Sequence, residues 1–316
     1  MKVKFWGVRG SIPSPILPSH IKGKIADALA LLEGESASDP REVRDLLEKL
    51  PIHIASTFGG NTSCVELRSG DNIVVFDAGS GLRLLGMKLM EEGFASGGRT
   101  LDLVLSHTHW DHIMGFPFFA PAYVAGNRIT FYGVHENLEK RLKSQQNRWH
   151  FPARMEEMGA DFSFVKLEEG KEFHIGDLKL TPIGLRHPGR SYAYRIEGEG
   201  KIAIYATDGA YGNGDSIPGE YIDFYRGADL LIFDAQFSLK DAIEKESWGH
   251  SSAPIGLAIA QSALIKRLVL FHHDPNADDG SIMDTLRDTI RRRDLAPEGS
   301  HRPEILAAYE GMEIDL

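Results

Sequence analysis

The segment Ser106-His107-Thr108-His109-Trp110-Asp111-His112 places four potential metal ligands within six residues. Neutral imidazoles and a carboxylate suit a borderline divalent ion such as Zn²⁺. His107 and His109, one residue apart, can turn to one ion while the Asp111-His112 pair faces another. Directly before them, the apolar run Leu103-Val104-Leu105 predicts a buried strand that delivers these groups at its carboxyl end. A polar turn that is histidine-rich by chance explains the segment poorly. Three crowded imidazoles would repel one another when protonated, and they have no packing task there.

Three further candidates stand at the ends of predicted strands later in the chain. Leu178 to Ile183 leads to Arg186-His187-Pro188-Gly189, Lys201 to Ala206 leads to Thr207-Asp208-Gly209, and Arg267 to Phe271 leads to His272-His273-Asp274. Singly, each reads more readily as structural than as ligating. Their weight comes from their order after the first motif.

The H-x-H-x-D-H signature behind a buried strand, followed by these groups in this order, resembles the metallo-β-lactamase superfamily from Val3 to about Asp274. The resemblance implies an α/β fold, a four-layer αββα sandwich with inserted helices, formed by residues 1–316 as a single domain. It also implies two divalent metal ions, Zn²⁺ first with Mn²⁺ or Fe²⁺ as alternatives. His107, His109 and His187 would hold one ion; Asp111, His112 and His272 would hold the other; and Asp208 would bridge them. His272 is chosen over His273 because relatives place the ligand directly after the strand. Asp77, at the end of Ile73-Val74-Val75-Phe76, is expected to orient the metal loop by hydrogen bonds instead of binding an ion.

Position 208 separates branches of this superfamily. Its β-lactamases usually offer cysteine or serine there, whereas Asp208 resembles the bridging carboxylate of dinuclear phosphodiesterases, nucleases and glyoxalase II-type thioesterases. Where flavodiiron relatives commonly have glutamate, this chain has His109. The segment Trp248-Gly249-His250-Ser251-Ser252-Ala253-Pro254 resembles one in tRNase Z and cyclic phosphodiesterases, whose histidine contacts the scissile phosphate. Asp111, Asp208 and His250 are therefore the expected catalytic residues. The implied reaction is hydrolysis of a small or cyclic phosphodiester by a hydroxide shared between the ions. Two alternatives keep the metal site: a thioester hydrolase of the glyoxalase II type, and a non-catalytic regulatory module in which the ions only hold loops together.

Composition narrows the partners. With 45 acidic and 35 basic side chains the formal charge is −10, which argues against a long electrostatic grip on nucleic acid but leaves room for a local basic patch. A single cysteine, Cys64, allows no intrachain disulfide and fits a reducing, cytoplasmic setting. Met1-Lys2-Val3-Lys4-Phe5 lacks the apolar run of a signal peptide, and no stretch of about 18 apolar residues is long enough to span a bilayer.

The elements that position these groups are legible in outline. Val3 to Val8 alternates as a strand and breaks into the loop Arg9-Gly10-Ser11-Ile12-Pro13. An insertion at about residues 16–55 has Ile25, Ala28, Leu29 and Leu32, then Val43, Leu46, Leu47 and Leu50, at helical spacing. It is expected to be a helix pair inserted into the first hairpin; shielding of the site and a homodimer contact are both open to it. Leu82 to Met90 predicts a helix, as does the stretch following His112. Residues 135–170 read as a surface insertion, and the helix after Pro254 is expected to run to about Lys266. Ile282, Leu286 and Ile290 mark a late helix, followed by a closing strand around Ile305-Leu306-Ala307.

Overall fold

Most strands of this protein bury both faces, because alternate side chains enter different apolar layers. In the computed structural model, which describes residues 1–35, 39–212 and 217–316, the first sheet contains β1 (Lys2–Gly7), β2 (Cys64–Ser69), β3 (Asn72–Phe76), β4 (Thr100–Val104), β5 (Arg128–Gly133) and β6 (Asp161–Lys166). The second contains β7 (Phe173–Ile175), β8 (Leu178–Leu185), β9 (Ser191–Gly198), β10 (Lys201–Ala206), β11 (Leu230–Asp234), β12 (Arg267–Phe271) and β13 (Glu304–Ala307). The chain then crosses back, and β14 (Glu313–Asp315) pairs antiparallel with β1, so each sheet has seven strands.

The two sheets share one plan. β1, β2 and β3 are antiparallel, and β3 to β6 continue in parallel. In the second sheet β7 to β10 are antiparallel, and β10 to β13 are parallel. Between the sheets lies a core of Phe5, Val74, Phe76, Tyr194, Tyr205, Ile232, Val269 and Phe271. The alternate residues on the same strands face outward. Val75 and Leu103 pack with Leu82, Leu85 and Leu89 of the helix Leu82–Glu91. Leu231, Phe233 and Leu270 pack with Ile255 and Ile259 of the helix Ala253–Ser262. Each fully buried side chain of this size contributes about 1.5–3 kcal/mol. The result is the expected four-layer αββα sandwich.

Several local expectations need correction. After His112 there is no continuous helix; a single turn, Trp110–Ile113, gives way to the short 3₁₀ turns Phe116–Phe118 and Ala120–Tyr123. Pro117 and Pro121 stand inside those turns and remove the amide hydrogens that a longer helix needs. Residues read as the end of a surface insertion form β6, whose register with β5 runs from Arg128↔Asp161 to Gly133↔Lys166. The helix after Pro254 ends at Ser262, short of Lys266, and is apolar nearly all round because it is covered by sheet and neighbours. β14 had no sequence signal strong enough to announce it.

The insertion between β1 and β2 does form helices, Pro18–Leu31, Pro40–Glu48 and Ile52–Ala55; its residues 36–38 lie outside the described residues. Lys24 anchors it through a 2.7 Å ion pair with Asp279, which also accepts the amide hydrogen of Phe58. Its apolar stripe is not buried by this chain, for Ile25 is 56% and Leu29 69% exposed. Cys64 is fully buried in β2, as expected. Among the described residues no helix is long and apolar enough to cross a membrane.

The metal-motif loop is stitched to the end of β3. Ala78 donates to the His112 carbonyl (2.8 Å) and Gly115 donates to the Ala78 carbonyl (2.9 Å). At Gly115 a Cβ would stand 1.9 Å from the Gly79 carbonyl oxygen, so only glycine allows this approach. Gly115→Ala is expected to destabilise the protein by about 1–3 kcal/mol. Thermal or urea unfolding checks this; an unchanged midpoint would mean that the two loops tolerate separation.

Candidate metal centre

Three of the site residues follow strand ends in left-handed backbone, a conformation that costs a non-glycine residue about 1–3 kcal/mol. They are Asp77 after β3 (φ 60°), Asp208 after β10 (φ 41°) and His272 after β12 (φ 58°). The turn away from the strand direction brings each side chain into the crevice beyond the carboxyl ends of the parallel strands. That is where open α/β sheets place their ligands. His107, His109, Asp111 and His112 arrive from the loop after β4, and His187 from the loop after β8.

All seven sequence-proposed ligands come together in two groups that share one carboxylate. His107, His109, His187 and Asp208 offer donor atoms within 4.8 Å of one another, and so do Asp111, His112, His272 and Asp208. The Asp208 oxygens divide between them. Oδ2 lies 3.7 Å from His107 Nε2 and 3.6 Å from His187 Nε2, while Oδ1 lies 3.1 Å from both His112 Nε2 and His272 Nε2. Asp111 Oδ2 is 3.2 Å from His112 Nε2 and 3.3 Å from His272 Nε2. His109 Nδ1 is 3.0 Å from His187 Nε2. His273 is turned away, with Nε2 donating to the Ala308 carbonyl (2.9 Å).

The hydrogen-bond network fixes which imidazole nitrogens are bare. Asp77 accepts from the Ser106 amide (2.8 Å), the Ser106 hydroxyl (2.7 Å), Tyr205 (2.7 Å) and His112 Nδ1 (2.7 Å). A hydroxyl has one proton, and Ser106 gives it to Asp77. Its oxygen therefore accepts from His107 Nδ1 at 3.0 Å. The Gly249 carbonyl likewise can only accept, so His187 Nδ1 is its donor (2.9 Å). In the neutral rings these bonds leave the Nε2 atoms of His107, His112 and His187 with lone pairs, and all three face Asp208 oxygens. Those of His107 and His112 are buried and have no hydrogen-bond partner among the described residues. Buried unpaired polar atoms cost about 1–3 kcal/mol each. Cations between the nitrogens and the carboxylates would satisfy them, so this donor set fits divalent metal ions.

The electrostatics agree. Burial works to raise the Asp208 carboxyl, but His112, His272 and His107 hold it well below the usual carboxylate range. Burial and the neighbouring His112 push His107 well down, which keeps it neutral. For His112, burial is outweighed by Asp208, Asp111 and Asp77, which raise it: the three carboxylates favour positive charge at this point, a second proton on the ring or, in its place, a cation beside Nε2.

His250 stands at the side of the clusters. Its Nδ1 donates to Asp234 Oδ2 (3.0 Å), and its ring stacks on His272 with centroids 5.3 Å apart. Burial would lower its pKa, but the charge and hydrogen bond of Asp234, with Asp208 and Asp111, raise it to about 9. Asp234 was missed in the sequence, although the all-apolar strand Leu230-Leu231-Ile232-Phe233 ending in a carboxylate repeats the pattern that flagged Asp208. Ser11 was also missed. Its amide donates to Asp111 Oδ2 (2.8 Å), and the preceding Gly10 has no room for a Cβ, which would lie 2.6 Å from the His272 ring. The centre opens into a cavity of about 520 Å³ lined by Ser11, Thr108, Trp110 and His250 together with His109, Asp111 and Asp208.

Residues 72–273 match the family described as the beta-lactamase superfamily domain, and the chain belongs to that family, one of metal-dependent hydrolases. Among curated proteins it is similar to Ribonuclease BN of Escherichia coli, 24% identical over 264 residues that span 68% of this chain and 82% of that one. Among solved structures it resembles the metallo-β-lactamase fold protein YhfI from Bacillus subtilis, with a TM-score of 0.63, 19% identity and coverage of 99% of this chain and 98% of the other. A diphosphatase from the PhnP family superposes with a TM-score of 0.60 at 18% identity, covering 100% of this chain and 97% of the other.

The network makes two checkable statements. Asp77→Asn replaces one acceptor oxygen by an NH2 donor, so it cannot keep all four bonds that orient Ser106 and His112, and should weaken metal binding by about 10–100-fold, measured by competition with a chromogenic chelator. His272→Ala should lose metal that His273→Ala retains, read by elemental analysis of both variants.

Proposed function

We propose that this protein is a dinuclear metallohydrolase that opens small or cyclic phosphodiesters. The observation that carries the reading is the division of Asp208, whose two oxygens each face a separate group of imidazoles. His107, His109 and His187 would hold one ion, Asp111, His112 and His272 the other, and Asp208 both. Zn²⁺ is the first choice for such donors, with Mn²⁺ and Fe²⁺ as alternatives. Divalent ions bound there would supply an activated water and a clamp for a non-bridging phosphoryl oxygen.

The remaining work falls to the chain's own groups. Asp234 fixes the His250 ring through Nδ1, which leaves Nε2 available to the cavity that His250 lines. From there it can donate a proton to the departing oxygen. The Ser11 amide holds Asp111 in place, and Asp77 does the same for His112. Similarity to a ribonuclease and a diphosphatase by name favours a phosphoryl centre. Cavity size and charge favour a small substrate. A volume of about 520 Å³ is of the size that accommodates a small molecule, and a formal charge of −10 gives little purchase on a long polyanion.

Protein purified without added metal should contain about two divalent ions per chain and hydrolyse bis(p-nitrophenyl) phosphate, with activity lost to a chelator and restored by Zn²⁺ or Mn²⁺. Asp208→Ala should lose both ions and the activity; full turnover by that variant would overturn the reading. Cleavage of a precursor RNA with no turnover of any small phosphodiester would move the substrate to nucleic acid.

His250→Ala should keep its metal. Its kcat should fall by roughly 10²–10⁴ for an alkoxide leaving group, and much less for p-nitrophenolate, which departs without a proton. Equal losses on both leaving groups would remove His250 as the proton donor.

A further inference from the structure

Trp110 is 79% exposed, yet it sits inside the metal motif and lines the cavity in front of the candidate centre. An exposed indole is unremarkable by itself. Trp149 and Trp248 are comparably open, at 93% and 63%, but do not line this cavity. What distinguishes Trp110 is how firmly it is placed. Its neighbours His109 and Asp111 belong one to each ligand group, its carbonyl accepts from Met114 (2.7 Å), and His112 donates to the His109 carbonyl (3.0 Å). The backbone that carries the indole is therefore fixed between the two ligand groups, within one side-chain length of the centre.

Two hydroxyls share the cavity wall with it. Thr108 Oγ1 accepts from Arg141 Nη1 (3.0 Å), and Ser11 Oγ accepts from Gln236 Nε2 (3.1 Å). Among the described residues neither hydroxyl gives its own proton to a protein acceptor. The cavity thus offers one flat aromatic face, two free O–H donors and a phosphoryl-binding centre. A nucleobase has a π-face that stacks on such a ring whatever its identity, and its sugar carries acceptors within reach of short hydroxyls.

We propose that Trp110 is the stacking platform for a nucleobase, and that the substrate is a nucleotide whose phosphodiester lies one sugar away from that base. The proposal rests on the phosphodiesterase reading above and adds the class of substrate. Trp110 is a specificity residue here and takes no part in bond breaking.

The test uses metal-loaded full-length protein and two matched pairs of substrates, the 2′,3′-cyclic phosphates of adenosine and of methyl riboside and the 3′,5′-cyclic phosphates of the same two. The members of each pair differ only by the base. The wild-type protein should favour the nucleotide in kcat/KM by roughly tenfold to a hundredfold, the effect of stacking one base. Trp110→Ala should bring that ratio close to one through a higher KM for the nucleotide, and Trp110→Phe should retain part of the preference. An unchanged ratio in Trp110→Ala overturns the proposal, including the case in which turnover of both substrates falls together. Metal content measured on each variant separates a damaged centre from a lost platform. A second readout needs no turnover: binding of adenosine 5′-monophosphate, followed by calorimetry, should weaken about tenfold or more in Trp110→Ala. If no phosphodiester is hydrolysed, the enzymatic reading fails, and this binding decides the platform by itself. Trp110-dependent binding supports it, and binding that is absent or independent of Trp110 overturns it.

Discussion

Bare imidazole nitrogens buried against carboxylate oxygens are the constraint on which this structure turns. Such an arrangement is unfavourable without positive charge between the partners, because the lone pairs repel and burial keeps bulk solvent from them. The protein nevertheless maintains it through Asp77, whose four hydrogen bonds fix His112 and Ser106, and through Ser106, which in turn fixes His107. One of those bonds comes from Tyr205 on β10, so the carboxylate at the end of the first sheet is tied to the second. Tyr194 makes a similar tie from β9 to the Leu105 carbonyl (2.8 Å). Sheet packing and ligand orientation are thus one network.

The shared plan of the sheets explains why the centre lies where it does. Each contributes a block of four parallel strands, and the carboxyl ends of both blocks meet at the same crevice. Left-handed residues there would be a liability in an ordinary turn. At Asp77, Asp208 and His272 the surrounding hydrogen bonds and packing hold the strain, which aims each side chain inward instead of along its strand. Close approach by glycines completes the arrangement, since the loops after β1, β3 and β4 would otherwise be kept apart by side chains.

Family membership accounts for the metals and for hydrolysis as a class, whereas substrate choice belongs to features grafted onto the fold. In the function proposed above, those features are the cavity wall around Trp110 and the Asp234–His250 pair. The insertion is held to the body through Lys24 and Asp279 but keeps its apolar stripe exposed. The two expected helices are present, with a short third, Ile52–Ala55, beside them.

The local pattern of the sequence was sufficient to determine the ligand types and the layers. H-x-H-x-D-H behind an apolar strand, and carboxylates or histidines closing later strands, could be read because metal chemistry restricts residue types and strand burial restricts hydropathy. Prolines at 117 and 121 were equally visible and should have cut the helix expected there. Other features depended on residues far apart in the chain. That Asp208 divides its oxygens, that His272 and not His273 enters the cluster, that Asp234 holds His250, and that β14 returns to β1 all follow from tertiary packing. Side-chain direction at a strand end depends on backbone handedness and on hydrogen bonds to distant partners, and neither is encoded in any short stretch of sequence.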